Sequence, residues 1–194
     1  MARYGPHRDP EARRRILDAT RDIVASEGPG GASIGAIAAA AGSGRQTIYR
    51  WWPSRTALVA EALEEVFERE SSFPVTDDPA DDLRVQMRST AKLMRSPAGA
   101  MLRELLSEAQ RDDEAAELFR ERFFDRRREH ARDAVERGMS AGVFRADVDV
   151  ITAIDLLYAP LWLRLLAGHA PLTPAAVDRI AALAFEGLVG DQPG

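Results

Sequence analysis

Apolar residues recur every three or four positions along nearly the whole chain, and no segment alternates with period two. The pattern predicts an all-α protein of about nine helices. Ile16, Ala19, Ile23 and Val24 place a first helix between Pro10 and Glu27, with Gly28 as its stop. The run Gly28-Pro29-Gly30-Gly31 reads as a turn, after which Ser33 caps a short second helix through Ala40, with Ile34 and Ile37 inward. Gly42-Ser43-Gly44 makes a tight corner before a third helix from about Arg45 to Trp52. Pro53 ends that helix, and Ser54 caps a longer fourth one with Leu58, Ala62, Val66 and Phe67 on one face.

A Pro- and Asp-rich linker spans Phe73 to Asp82. Beyond it, Leu83, Met87, Ala91 and Met94 mark a fifth helix, and Met101, Leu102, Leu105 and Leu106 a sixth that opens on Ser96-Pro97. Arg111 to Asp113 breaks the pattern. Leu118, Phe119, Phe123, His130, Ala131 and Ala134 then line one long helix ending near Gly138, followed by a loop from Gly142 to Asp149. The helix from about Val150 to Ala167 is apolar on more than one face. Thr173-Pro174 opens the last helix, which carries Val177, Ile180, Ala181, Ala184, Phe185 and Leu188.

Composition narrows the function. With 194 residues, 45% of them hydrophobic, the chain can build a real core. The absence of cysteine excludes disulfides, thiol catalysis and cysteine-ligated zinc. The longest apolar stretch, Ile151 to Leu166, is interrupted by Asp155, Pro160 and Arg164, so no membrane span is expected. Met1 to Pro10 is polar and no secretory leader is expected, which favours the cytoplasm. His7, His130 and His169 lack metal-ligand spacing, and no phosphate-cradling glycine motif occurs. The pairs Asp77-Asp78, Asp81-Asp82 and Asp112-Asp113 read as solvated helix caps, and Arg126-Arg127-Arg128 as a solvated, salt-bridged face. Neither enzymatic activity, metal nor cofactor is expected from this inventory.

The net charge of −5 hides an asymmetry. Up to Thr56 there are nine Arg against five acidic residues, a head of +4; the rest of the chain carries −9. A basic head tracks phosphates while an acidic body is repelled by them. In that head, three short helices are joined by glycine-bearing turns, as a helix-turn-helix requires. Ala36, Ala38, Ala39, Ala40 and Ala41 keep the first of the two crossing helices small-faced.

Here the residues resemble a family. Ile37-Ala38 through Ala41-Gly42, then Gly44-Arg45-Gln46-Thr47-Ile48-Tyr49-Arg50-Trp51-Trp52-Pro53-Ser54-Arg55 and Ala57-Leu58, look like the TetR family of bacterial regulators. The strong match covers about Ala12 to Phe67. Ala141-Gly142-Val143-Phe144-Arg145 through Asp149, and Leu161 to Leu166, look like the regulatory domain of one branch of that family. Two positions depart from it: members commonly carry an apolar residue where Ser43 stands, and often serine where Gly44 stands. The resemblance implies a helix-turn-helix domain over residues 1–56, with the motif at about 33–52 and the family-type domain reaching about 71. Residues 57–194 would be an all-helical ligand-binding and dimerisation domain.

The implied roles are as follows. Arg45, Gln46 and Thr47 stand at the front of the recognition helix, where Arg45 suits guanine and Gln46 adenine. Tyr49 and Arg50 suit phosphate positioning, Arg55 lies near the DNA backbone at a helix N-terminus, and Ser33 and Ser43 are further phosphate candidates. Trp51 and Trp52 read as core, while Arg13, Arg14 and Arg15 form either a solvated face or further DNA contacts. The last two helices are the expected homodimer interface, through Leu161, Leu165, Val177, Ile180, Ala181, Ala184, Phe185 and Leu188. Met87, Met94, Met101, Phe119, Phe123, His130, Tyr158 and Trp162 either line an effector pocket or form plain core. Asp155 is a polar group of the pocket or of the interface. The expected protein is a repressor, associated with the bacterial nucleoid, that leaves a palindromic operator when a small molecule binds. The alternatives are a helical interaction or DNA-binding module without that switch, or an enzyme.

Overall fold

Helix ends fall where capping chemistry puts them. In the computed structural model, which describes residues 9–189, Asp9 caps α1 (Pro10–Glu27) and Gly28 ends it with a φ of 75°. The polar start from Met1, with His7, lies outside the described residues. Ser33 caps α2 (Ile34–Ala40), Gly44 precedes α3 (Arg45–Trp51), and Ser54 caps α4 (Arg55–Glu70). Asp78 and Ser96, each followed by proline, open α5 (Pro79–Met94) and α6 (Pro97–Ala109). Asp149 caps α9 (Val150–Ala167), whose end is a left-handed Gly168, and Thr173 caps α10 (Pro174–Leu188).

The long helix expected after Asp113 is present but not uniform. It runs as α7 (Asp113–Phe119), a π-helical turn (Arg120–Asp125) and α8 (Arg126–Ser140). Counted as one rod, these leave nine helices and no strand among the described residues. A π turn shifts the faces of the helix on either side of it relative to uniform α winding. Phe123 and Phe124 of that turn line one cavity together with Arg127 and Arg128 of α8.

One cluster of buried apolar side chains runs from Ile16 and Leu17 through Leu58, Leu63 and Phe67 to Val177 and Leu188. α4 carries that continuity, packing on α1 on one side and on α5, α6, α7 and the π turn on the other. The boundary expected at residue 56 therefore falls inside a continuous helix, one residue after its start. The loop before α9 is pinned as well: Phe144 stacks on Phe185 at 5.8 Å, and the Arg145 amide donates to the Leu188 carbonyl at 2.8 Å. A Cβ at Gly138 would overlap the Phe144 ring, so that glycine is required for the loop to fold back.

Two sequence expectations are corrected here. Asp82 is not a solvated cap: it is 1% exposed. It accepts from the Thr76 amide and hydroxyl and from Arg137 at 2.8 Å. Arg127 is not on a solvated face either. Its neighbours are, with Arg126 paired to Glu64 and Glu68 and Arg128 to Asp155, but Arg127 turns inward over the ring of Phe67.

Candidate DNA interface and effector cavity

The corner between α2 and α3 is built from backbone. Gly42 is left-handed at φ 58°, the Gly42 amide donates to the Ala39 carbonyl at 3.2 Å, and the Ser43 amide to the Ala38 carbonyl at 2.9 Å. That double bond is a Schellman closure, whose last position commonly holds an apolar residue packing back on the helix. This explains why an apolar side chain suits the position of Ser43: the backbone makes the turn and the side chain adds only packing. Gly44 takes an extended conformation (φ −82°, ψ 148°), so the recognition helix starts without a side-chain cap.

On α3, Ile48 is fully buried and Trp52, just past its end, is 2% exposed; the two anchor the helix to the head core. The opposite face is open. Arg45, Gln46 and Arg50 are exposed and Tyr49 is 54% exposed, while Thr47 is half-buried. The Arg45 guanidinium folds back over Gly35, where an added Cβ would lie 2.6 Å from its Nη2. Ser33 is exposed, with its hydroxyl oxygen accepting from the Ala36 amide at 3.1 Å.

Arg55, expected near the DNA backbone, is engaged by protein groups instead. Its Nε donates to the Ala32 carbonyl at 2.7 Å and its Nη2 to the Pro29 carbonyl at 2.5 Å, while Nη1 binds Glu104 at 2.7 Å. Its planar fork thus ties the turn before α2 to α6 of the body. Thr56 adds a hydrogen bond to Glu108 on the same helix. Arg13 is likewise committed, to Glu61 at 2.5 Å and Glu65 at 3.6 Å on α4. Arg14 and Arg15 remain exposed. Sequence reasoning missed this strut because the carboxylates that accept from Arg55 and Thr56 lie 49 and 52 residues away from them in the chain.

In the body, a cavity of about 290 Å³ lies between α4, α5, α8 and α9. Of the residues expected to line a pocket, Met94, Phe123, Tyr158 and Trp162 stand in its wall. Phe119 stacks on Phe123 at 5.7 Å and meets Trp162 edge-on, so it backs the wall instead of forming it. Met87 and Met101 are core residues, and His130 is exposed at the edge of a wider cleft of about 1040 Å³. Sequence reasoning did not single out Phe67, Gln86, Thr90 and Arg127 as lining residues. The Tyr158 hydroxyl donates to Gln86 at 2.5 Å and Gln86 donates to Thr90 at 3.0 Å, a polar wall in an otherwise apolar space. Burial pushes the Tyr158 hydroxyl pKa well above its ordinary value, with Arg127 acting against it, so the phenol remains a donor. Pro160, between Tyr158 and Trp162, removes one backbone bond from α9 beside the cavity.

The expected dimer residues are corrected by burial. Leu161, Leu165, Val177, Ala181, Ala184, Phe185 and Leu188 are all buried within the protomer's own core. A side chain already enclosed by its own protomer has little surface to offer a partner; of the eight, Ile180 alone is half-buried. The apolar residues left outside on these two helices are Ile151, Leu156, Leu163 at 58%, Leu166 and Leu183 at 69% exposure, with Val189 just beyond α10. α9 is long and apolar enough to cross a membrane by length and composition, but Ala153, Ile154, Leu157, Leu161 and Leu165 place one of its faces in the core.

Comparison with known proteins matches this architecture in both parts. Residues 16–62 match the family described as bacterial regulatory proteins, tetR family, and residues 73–184 match its tetracyclin repressor-like C-terminal domain. The chain belongs to the TetR family of transcriptional regulators. It is 28% identical over 188 residues to the HTH-type transcriptional regulator YdeS of Bacillus subtilis (strain 168), covering 97% of this chain and 95% of that one. The crystal structure of the TetR family regulator SCO0332 is 30% identical, with a TM-score of 0.80 over 93% of this chain and all of that one. RolR in complex with resorcinol shares the fold at 19% identity, with a TM-score of 0.68 over 92% of this chain and 88% of that one.

Proposed function

We propose that this regulator is a homodimeric repressor that a small-molecule effector releases from a palindromic operator. The observation that carries the reading is a single helix. Phe67 near the end of α4 lines the cavity, and Arg55 at its start holds the turn that supports α2. An occupant that displaces Phe67 therefore acts on the same rigid element that positions the head. The ion pairs continue the connection: Arg122 and Arg126, around the π turn, bind Glu61 and Glu64 on α4, and Arg13 of α1 shares Glu61. Solved relatives include one holding a small aromatic molecule, resorcinol, in the same fold.

The exposed faces of α9 and α10 form the dimer, through Leu156, Leu163, Leu166 and Leu183, large apolar side chains that solvent alone would cover in an isolated protomer. Two recognition helices then meet half-sites roughly 34–36 Å apart. Tyr49 and Arg50 position the helix on phosphates, and Arg45, Gln46 and Thr47 read base edges. Ser33 and Ser43 supply further phosphate contacts. The protein works in the cytoplasm on chromosomal DNA, and blocking a promoter is its mode of action.

A ligand shifts the DNA equilibrium only by its difference in affinity for the two states. The decisive measurement is operator affinity, by mobility shift on promoter fragments next to its own gene, with and without a metabolite panel. Release by one compound class supports the proposal. Specific binding that no compound alters would leave a DNA-binding regulator without a switch.

A further inference from the structure

Resting on the reading of the 290 Å³ cavity as the effector site, we infer that the effector is a small monocarboxylate with an aromatic or short aliphatic body, and that Arg127 holds its carboxylate. The starting point is an unmatched cation. Arg127 lies 4.2 Å from the Phe67 ring centroid and 5.0 Å from that of Phe123. Among the described residues its guanidinium, which presents five N–H donors in a rigid fork, makes no hydrogen bond or ion pair.

The carboxylates that would ordinarily neutralise it are engaged elsewhere. Glu64 binds Arg126 at 2.7 Å and lies 3.8 Å from Arg122, and Glu68 binds Arg126 at 2.9 Å. Asp155, which lines the same cavity, is held by Arg128 at 2.6 Å. Burial lowers the Arg127 pKa to about 10, with Glu68, Tyr158 and Glu64 raising it, so the group stays a cation at neutral pH. A half-buried cation packed on aromatic rings without a carboxylate carries a desolvation cost that an anion would relieve, and the fork matches a carboxylate in two parallel bonds.

The remaining walls define the rest of the ligand. Phe67, Met94, Leu102, Phe123, Ile154 and Trp162 surround an apolar body. The volume sits at the small end of the range of roughly 300–1,000 Å³ for ligand sites, which suits a single ring or a short chain. Gln86 and Arg127 also line the wider cleft, so the anion-binding group stands where the two spaces adjoin. An acid entering from the cleft meets the guanidinium first and seats its apolar end beyond it.

The test is calorimetric titration of the full chain with phenylacetate and hexanoate against phenylacetamide and hexanamide. The acids should bind about tenfold or more tighter than their amides, and Arg127→Met should remove that preference, weakening the acids far more than the amides. Arg127→Met should also hold or raise the melting temperature of the unliganded protein, since it removes the unpaired cation. If Arg127→Met does not fold, Arg127→Gln makes the same comparison. Amides binding as tightly as acids, or a preference that survives loss of Arg127, would overturn the carboxylate assignment and leave the effector cavity standing. Binding of neither class at millimolar concentration would overturn both.

Discussion

The head and the body are packed from the same kinds of helices, but they treat empty space and charge differently. In the head, Ile16, Leu17, Ile37 and Ile48 are completely buried, and the committed cations Arg13, Arg21 and Arg55 each have a carboxylate partner. In the body, the wall of a cavity holds a cation without one, a π turn interrupts the longest rod, and a proline sits inside α9. A region that reads DNA needs one rigid shape. A region that responds to a ligand keeps space, and here a cation, that the ligand can satisfy. α4 packs on both, and in the proposed switch it carries a change in the second to the first.

The largest test of that contrast is a pair of tryptophans. Trp52→Ala in the filled head core should destabilise the protein by about 3–5 kcal/mol and abolish operator binding. Trp162→Ala, at the wall of existing space, should fall well below that range. Thermal or denaturant unfolding of both variants measures it, and equal losses would erase the distinction. Next in size, Leu163→Glu with Leu183→Glu places charges on the exposed face of α9 and α10. Light scattering should then report half the native mass, whereas charging a surface that stays in solvent leaves the mass unchanged.

Smaller effects are expected where the head meets DNA. Arg50→Ala should weaken operator binding by about 1–2 kcal/mol and reduce the salt slope by about one, with the melting temperature unchanged. Tyr49→Ala should weaken binding similarly, and Arg55→Met should not change the salt slope, because its guanidinium is held by protein groups. A shallower salt slope in the Arg55 variant would return that residue to the DNA interface.

The smallest effect is one of pH and belongs to the body. Burial pushes the Asp82 carboxyl up, but the Thr76 amide, Arg137 and the Thr76 hydroxyl together outweigh it and hold the pKa below its ordinary value. Its contribution to stability is therefore complete above the unfolded pKa of about 3.9 and is lost as pH falls through the lower folded value. Melting temperature followed from pH 6 into the acid range should decline less steeply in Asp82→Asn than in the native chain.

What the amino-acid sequence determined by itself was local: helix ends, caps and the character of the head. Gly28, Ser33, Ser54, Ser96-Pro97 and Thr173-Pro174 act through bonds within a few residues, so their roles are visible without the fold. The exposed polar positions of α3 were legible for the same reason, since one short helix carries them together. Tertiary structure alone decided which apolar stripe of α9 faces the core, because a helix apolar on several sides has no periodic signal to choose among them. It also decided the fates of the arginines. Arg55, Arg126 and Arg127 are equivalent cations in the sequence, yet one became a strut, one a surface pair and one an unpartnered guanidinium in a cavity wall. Charge pairing depends on which distant carboxylates the packing brings within a few ångströms, and spacing along the chain does not record that.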